Sequence, residues 1–235
     1  MSRNPSIWDR VYAGLRKSIE NGSLAPGSRI PSQDELSREY DVPRHAVRRA
    51  LELLKRERLV GSWQGRGAYV LGRPLVYKIN NQTRFATSMR ENGSEVRIVI
   101  LSSKSRGHPS AEIASLLGIS QRETAFVSEI LHFVDDVPMA IGRHYFDPRR
   151  FPNMLDVLSE SSWSPGAFKL FGLDSYSRSQ TLVKTRIPTA SEALALDLAP
   201  AQPVFELLGR NIDPDGNPIE VTEAIVRGDR IQLLI

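Results

Sequence analysis

PSQDELSREYDVPRHAVRRALELLKRER, residues 31–58, is the stretch from which the rest of the chain can be read. Apolar residues recur at helical spacing in both halves, Leu36 and Tyr40 in the first and Val47, Leu51 and Leu54 in the second, with Asp41-Val42-Pro43 between them. That is the spacing of two helices joined by a tight turn. Ser32 is placed to cap the first helix, and Glu35 stands three residues on as its capping-box partner. Pro43 suits the first turn of the second helix, where its missing N–H would have no partner anyway. Arg44, His45, Arg48 and Arg49 then crowd the N-terminal end of that helix. Cations there oppose the helix dipole, but the second helix of such a pair enters a DNA major groove N-terminal end first, where phosphates and base edges call for them. The competing reading is a solvated basic face, in which Arg48 pairs with Glu52 at i, i+4 and Arg49 meets only water.

The flanks extend the pattern. Upstream, Ile7, Val11, Leu15 and Ile19 form a 3.6-residue stripe with Trp8 and Tyr12 beside it, and Asn21-Gly22 supplies a stop. Downstream, strand-like Leu59 to Trp63 and Ala68 to Val70 bracket Gln64-Gly65-Arg66-Gly67, which predicts a hairpin with an arginine at its tip. Three helices followed by a hairpin make a winged helix.

Charge is unevenly spread. Through Arg73 the chain carries 14 Lys and Arg against 8 Asp and Glu, whereas the remainder carries 17 against 19. A basic head on a near-neutral body points to a nucleic-acid partner for the head. No apolar run approaches the ~18–20 residues of a membrane helix, and the N-terminus lacks the apolar core of a signal peptide. The absence of cysteine excludes disulfides, a thiol nucleophile and thiolate metal sites, in keeping with a cytoplasmic protein. No Gly-rich phosphate loop, nucleophile elbow or zinc motif occurs, and His108, His132 and His144 lack short-range ligand spacing, so neither a cofactor nor a metal is expected.

Leu71-Gly72-Arg73-Pro74 reads as a connection, which divides the chain into a winged helix over 1–72, a linker over 73–78 and a second domain over 79–235. In the second domain strand patterns over 95–102, 123–134, 137–146, 176–187, 204–212 and 219–226 are interrupted by short helical stretches near 110–117, 152–158, 165–171 and 191–196. Asp213-Pro214-Asp215-Gly216-Asn217 is strong turn chemistry between the last two strands. Hairpins without regular β–α–β alternation predict an antiparallel α+β fold.

The segment LRKSIENGSLAPGSRIPSQDELSREYDVPRHAVRRALELLKRERLVGSWQGRGAYV, residues 15–70, resembles the DNA-binding domain of GntR-type bacterial transcription regulators. The resemblance implies DNA contacts from Arg44, His45 and Arg48 on the recognition helix and from Gln64, Gly65 and Arg66 on the wing. Two positions depart from the family: Pro43 stands where a serine is usual, and Asp34 where a basic residue is often found. The remainder resembles the effector-binding (UTRA) domain of the HutC branch, whose fold is similar to chorismate lyase, most tellingly in NIDPDGNPIEVTEAIVRGDRIQL, residues 211–233. Within that branch YKINNQTRFATSM (77–89) and AIGRHYFDPRRFP (140–152) look most like regulators of phosphonate metabolism. Members that bind phosphorylated sugars often have an Arg-x-Arg pair where this chain has Ile130 and His132, and a glutamate where it has Gly142, so a sugar phosphate held in the usual way is not expected.

Strand alternation sorts the candidates for the effector. Glu220 and Thr222 share a face with Ala224 and Val226 and are placed to line a cavity over the sheet. Arg143, His144 and Tyr145 lie on one strand, where Arg143 and His144 point to opposite faces, so at most one of those two belongs to a given pocket. Arg84 at a helix start, Arg178 and Tyr176 on the long strand, and Ser162 and Ser164 could together make an anion site of guanidinium and hydroxyl donors. For each arginine the alternative is a surface ion pair. The expectation is a homodimeric, effector-responsive repressor on a pseudo-palindromic DNA operator, with a small anionic effector. A constitutive DNA-binding dimer without an effector and a lyase-like enzyme fused to a DNA-binding head are the alternatives, the latter lacking any convincing acid–base pair in the sequence.

Overall fold

The computed structural model describes residues 6–57, 59–63, 67–71, 74–82, 84–160, 165–198 and 201–235. The chain forms two compact units, Met1–Pro74 and Leu75–Ile235.

In the first unit α1 (Ile7–Glu20), α2 (Gln33–Glu39) and α3 (Arg44–Arg56) precede a hairpin of β1 (Val60–Trp63) and β2 (Gly67–Val70). The capping box at α2 forms as expected: Glu35 N–H donates to Ser32 Oγ at 3.2 Å and Ser32 N–H to Glu35 Oε2 at 2.6 Å. Asp41 takes a left-handed φ of 50° in the turn before α3, a conformation that Asp tolerates better than most residues. Leu36, Val47, Leu51 and Leu54 from the two helices pack with Val11 and Leu15 of α1 and with Val60 and Val70 of the hairpin. Residues 27–30 line the β2 edge of the hairpin, with Gly27 N–H donating to Val70 O and Ile30 N–H to Ala68 O, so β2 is hydrogen-bonded on both sides.

The second unit centres on a six-stranded sheet in the order β4-β5-β6-β9-β8-β7, built from β4 (Val96–Gly107), β5 (Ala125–Val134), β6 (Val137–Phe146), β7 (Ser177–Arg186), β8 (Val204–Ile212) and β9 (Pro218–Arg227). All its pairings are antiparallel. Asp135 and Asp136, both at positive φ (50° and 60°), close the β5–β6 hairpin in the geometry that primed turns require. One face carries α4 (Phe85–Glu91), α6 (Met154–Glu160) and a 3-10 turn (Pro165–Phe171), sealed by Phe146, Phe151, Met154, Leu158 and Phe168. The other face packs on α5 (Ala111–Leu117) and α7 (Ala190–Ala195).

The linker expected over 73–78 is corrected. Leu75–Lys78 is a strand, β3, paired in parallel with β10 (Ile231–Leu234), and Leu75 N–H donates to Arg230 O. The second unit is thus closed by its own first and last strands. Among the described residues no helix is long and apolar enough to cross a membrane.

Candidate functional site

In α3 the residues Ala46, Val47, Ala50, Leu51 and Leu54 are buried. Helical geometry then places Arg44, His45, Arg48 and Arg49 on the exposed arc. Their surroundings differ. Asp34 of α2 holds Arg44 by its Nε, while that side chain stays 72% exposed. Arg48 Nε lies 3.8 Å from Glu52 Oε1 with both side chains exposed. A surface pair of that kind contributes about 0–1 kcal/mol, too little to withhold Arg48 from a phosphate. The Arg49 guanidinium lies over the Trp8 ring, 4.9 Å from its centroid, and is therefore turned toward α1. Arg44, His45 and Arg48 make the outward group. Gln64, Gly65 and Arg66 lie outside the described residues. Arg29 was not a sequence candidate; its Nε is 3.5 Å from where a Cβ on Gly67 would be, so its side chain reaches the tip end of the hairpin.

The second unit holds a cavity of about 110 Å³ between the sheet and its α4–α6 cover. A water needs roughly 10–15 Å³ by this kind of measure, so the space admits a small organic molecule. Of the residues read from sequence, Arg84, His144, Tyr176, Arg178, Glu220 and Thr222 line it together. Ser162 and Ser164 lie outside the described residues. Arg143 and Tyr145 do not belong to it, and their inclusion is corrected: they alternate with His144 on β6 and so face the opposite side of the sheet. There Arg143 Nε donates to Glu129 Oε2 at 2.5 Å, and the Tyr145 hydroxyl donates to Glu223 Oε2 at 2.6 Å.

A polar chain runs across the cavity floor. Arg178 Nε donates to Asn211 Oδ1 at 3.2 Å, Asn211 Nδ2 donates to Glu220 Oε2, and Glu220 Oε1 is 2.6 Å from His144 Nδ1. Burial would raise the Glu220 carboxyl. The hydrogen bond and charge of His144, with Arg84 and Arg178 nearby, outweigh it and hold the group below the usual carboxylate range. Two glycines make room for this chain. A Cβ on Gly142 would come within 2.8 Å of His144 Nε2, and one on Gly209 within 2.8 Å of Thr222 Oγ1 and 2.9 Å of Arg178 Cζ.

Arg84 comes from the N-cap of α4. Its guanidinium lies over the Tyr176 ring at 3.8 Å, with Nε 2.5 Å from the hydroxyl, and its buried Nη1 has no hydrogen-bond partner. Burial lowers the Arg84 pKa and pushes the Tyr176 hydroxyl up to about 12. His132 was not among the effector candidates read from the sequence. It lines the cavity, and burial, aided by the charges of His144 and Arg90, pushes it down to about 3, so the imidazole is neutral. The signal lay in the strand period, since residues 130 and 132 share a face of β5 and register opposite Gly142 and Ala140.

A winged-helix head followed by a sheet domain with a ligand-sized cavity is the arrangement of a transcription regulator of the effector-binding class. Residues 8–70 match the bacterial regulatory proteins of the gntR family and residues 91–232 match the UTRA domain; the chain belongs to the gntR family, in its UTRA-bearing branch. It is 30% identical over 235 residues to an HTH-type transcriptional regulator of Rhizobium meliloti (strain 1021), covering 98% of this chain and 94% of that protein. It is 28% identical over 229 residues to the probable transcriptional regulator PhnF of Escherichia coli (strain K12), covering 97% and 94%. Its fold is similar to the crystal structure of PhnF from Mycobacterium smegmatis, with a TM-score of 0.60 at 20% identity over 96% of this chain and 98% of that one. Regulators of this family bind DNA through the first domain and a small-molecule effector through the UTRA domain.

Proposed function

We propose that the protein is a cytoplasmic, homodimeric repressor that releases its operator when a small anionic effector fills the cavity of its second domain. The observation that carries the effector half is the Arg84 guanidinium in the cavity lining, whose buried Nη1 has no hydrogen-bond partner. The DNA half rests on the outward group of Arg44, His45 and Arg48, joined by the wing residues Gln64, Gly65 and Arg66. A two-fold dimer would set two α3 helices one DNA turn apart on a pseudo-palindrome. The covalent route from cavity to head is short. Tyr77 of β3 lines the cavity, and three residues before it the chain reaches Pro74, the last residue of the head. Gating requires the effector to bind the released state more tightly than the DNA-bound one, since equal affinity shifts nothing.

The test is fluorescence anisotropy of the full chain on the DNA upstream of its own gene, titrated first with salt and then with small acids. Arg48→Ala should weaken operator binding by about tenfold or more while leaving effector binding intact. Unchanged DNA affinity would remove α3 as the recognition helix. Operator binding that no acid disturbs would favour a constitutive DNA-binding dimer.

A further inference from the structure

Strand β3 has two hydrogen-bonding edges. Along one it pairs with β10, Leu75 N–H donating to Arg230 O and Ile79 N–H to Leu234 O. The backbone groups of Val76 and Lys78 point the other way, and among the described residues no second strand pairs with β3 there. Bare backbone donors and acceptors at such an edge need partners. Helix α4 supplies them with two side chains one turn apart. Ser88 Oγ accepts from Lys78 N–H at 3.2 Å and donates to Val76 O at 3.1 Å. Asn92 Oδ1 accepts from Val76 N–H at 3.2 Å, and Asn92 Nδ2 donates to Val76 O at 2.9 Å. Ser88 is buried, so water has no access to replace its two bonds. Asn92 is not needed as the helix stop, because Gly93 at a left-handed φ of 83° ends α4 with its N–H on Arg90 O. A further bond from Asn92 Nδ2 to Ser88 O, 2.6 Å, fixes the amide against the helix end. The helix thus stands where a neighbouring strand would, and α4 and β3 form one body.

The other end of α4 is in the cavity. Arg84, its N-cap, stacks on Tyr176 and bonds to the Tyr176 hydroxyl, and Phe85 packs edge-on against both Tyr77 of β3 and His132, with ring centroids 5.4 and 5.2 Å apart. From Arg84 to Asn92 the helix rises ~12 Å. Strand β3 in turn begins at Leu75, the residue after the end of the head at Pro74. From this arrangement we infer that Ser88 and Asn92 are the positioning residues of the ligand response, coupling the cavity end of α4 to the strand that leaves the head. A group that displaces Arg84 from Tyr176 shifts a two-turn helix, which passes the displacement on instead of absorbing it. The four side-chain bonds to Val76 and Lys78 then carry β3 along. Without them β3 keeps its place beside β10 while α4 moves. The inference rests on the reading of this cavity as the effector site and names the residues through which that site acts.

The experiment replaces the ligand by substitutions in the cavity and reads operator affinity of the full chain by anisotropy. Arg84→Gln and Tyr176→Phe are each made with the Ser88 and Asn92 side chains intact and again in a Ser88→Ala/Asn92→Leu background. Tyr176→Phe removes the hydroxyl that receives Arg84 Nε while keeping the ring and every charge, so it reports even where Arg84→Gln misfolds or acts through its lost charge. With Ser88 and Asn92 intact each cavity variant should shift operator affinity by about fivefold or more. In the Ser88→Ala/Asn92→Leu background the same shift should fall to less than about twofold. Amide exchange should quicken by about tenfold or more at Val76 and Lys78 in that background and stay unchanged at Leu75 and Ile79, which face β10. Gly93→Ala is the control for mere weakening of the helix. It strains the same helix end at a left-handed φ, meets nothing within 4 Å and leaves both side chains in place, so the full shift should survive. Equal shifts in the two backgrounds overturn the inference and leave the cavity connected to the head by another route. Loss of the shift in Gly93→Ala overturns it in favour of helix integrity alone. A cavity variant that folds yet moves operator affinity in neither background overturns both the inference and the proposed gating.

Discussion

Asp34→Asn separates two tasks that meet in Arg44. The carboxylate of Asp34 holds Arg44 at Nε, and the pair is exposed, 72% for the arginine side chain and 51% for the aspartate. Such a pair contributes about 0–1 kcal/mol to folding, so the variant should keep the head folded with a nearly unchanged melting temperature. The larger effect is expected on DNA. A guanidinium fixed at Nε presents its two Nη donors end-on, the arrangement that forks onto guanine O6 and N7. Such a contact contributes about 1–3 kcal/mol of discrimination, roughly 5- to 150-fold against a wrong base. Releasing Nε lets the side chain swing to a phosphate, which lowers the preference for guanine. It also adds about 0.9 to the slope of log affinity against log salt for each phosphate newly neutralised. Removing a negative charge near the DNA strengthens binding to any sequence as well. The assay is selection from a random duplex library with the wild type, Asp34→Asn and Arg44→Ala, followed by anisotropy against salt on the selected and on random duplexes. The wild type should select a guanine whose preference Arg44→Ala abolishes and Asp34→Asn weakens by about tenfold, the latter with tighter binding to random DNA. A guanine preference lost in Arg44→Ala but fully kept in Asp34→Asn would refute the reasoning about Nε.

Further perturbations test the two units separately. Leu54→Ala removes a fully buried side chain from the head core and should destabilise that unit by about 2–5 kcal/mol; calorimetric scans should show the head transition moving while that of Leu75–Ile235 stays in place. Glu192, buried beneath the Arg186 guanidinium, is held down to about 2 mainly by that hydrogen bond, against a value of 4.5 for the free group. A depressed carboxylate stabilises above its unfolded pKa and loses that contribution as pH falls through the folded one. Glu192→Gln should therefore destabilise the second unit by on the order of 1–3 kcal/mol near pH 7, with the gap to the wild type narrowing below about pH 4.5 in urea titrations.

How much of this could be read in advance depended on how local each signal was. The helices of the head were legible because their period, the Ser32–Glu35 box and Pro43 all act within a few residues. The strands of the sheet were legible from period-two patterning and from the Asp213–Asn217 turn. Strand β3 was not, because four residues whose strand partner lies at the far end of the domain leave no local mark. In the cavity, alternation on β9 placed Glu220 and Thr222 correctly, and the same alternation on β6 already separated His144 from Arg143, so listing Arg143 and Tyr145 together with it asked one strand face to do the work of two. His132 and the apolar wall needed the register between β5 and β6 and the cover of α4 and α6, which only the assembled sheet supplies.

The pairing of β3 with β10 also sets a timetable for synthesis. Every strand and helix of the head finds its partners within the first 74 residues, so the DNA-binding unit can complete itself early on a growing chain. Leu75–Lys78, which carries the cavity residue Tyr77, must wait for Ile231–Leu234. At ~5–20 residues per second that wait is on the order of ten seconds. During it a nascent chain has a complete winged-helix head and a cavity with one wall still missing, so the DNA-binding unit exists before the proposed effector site does.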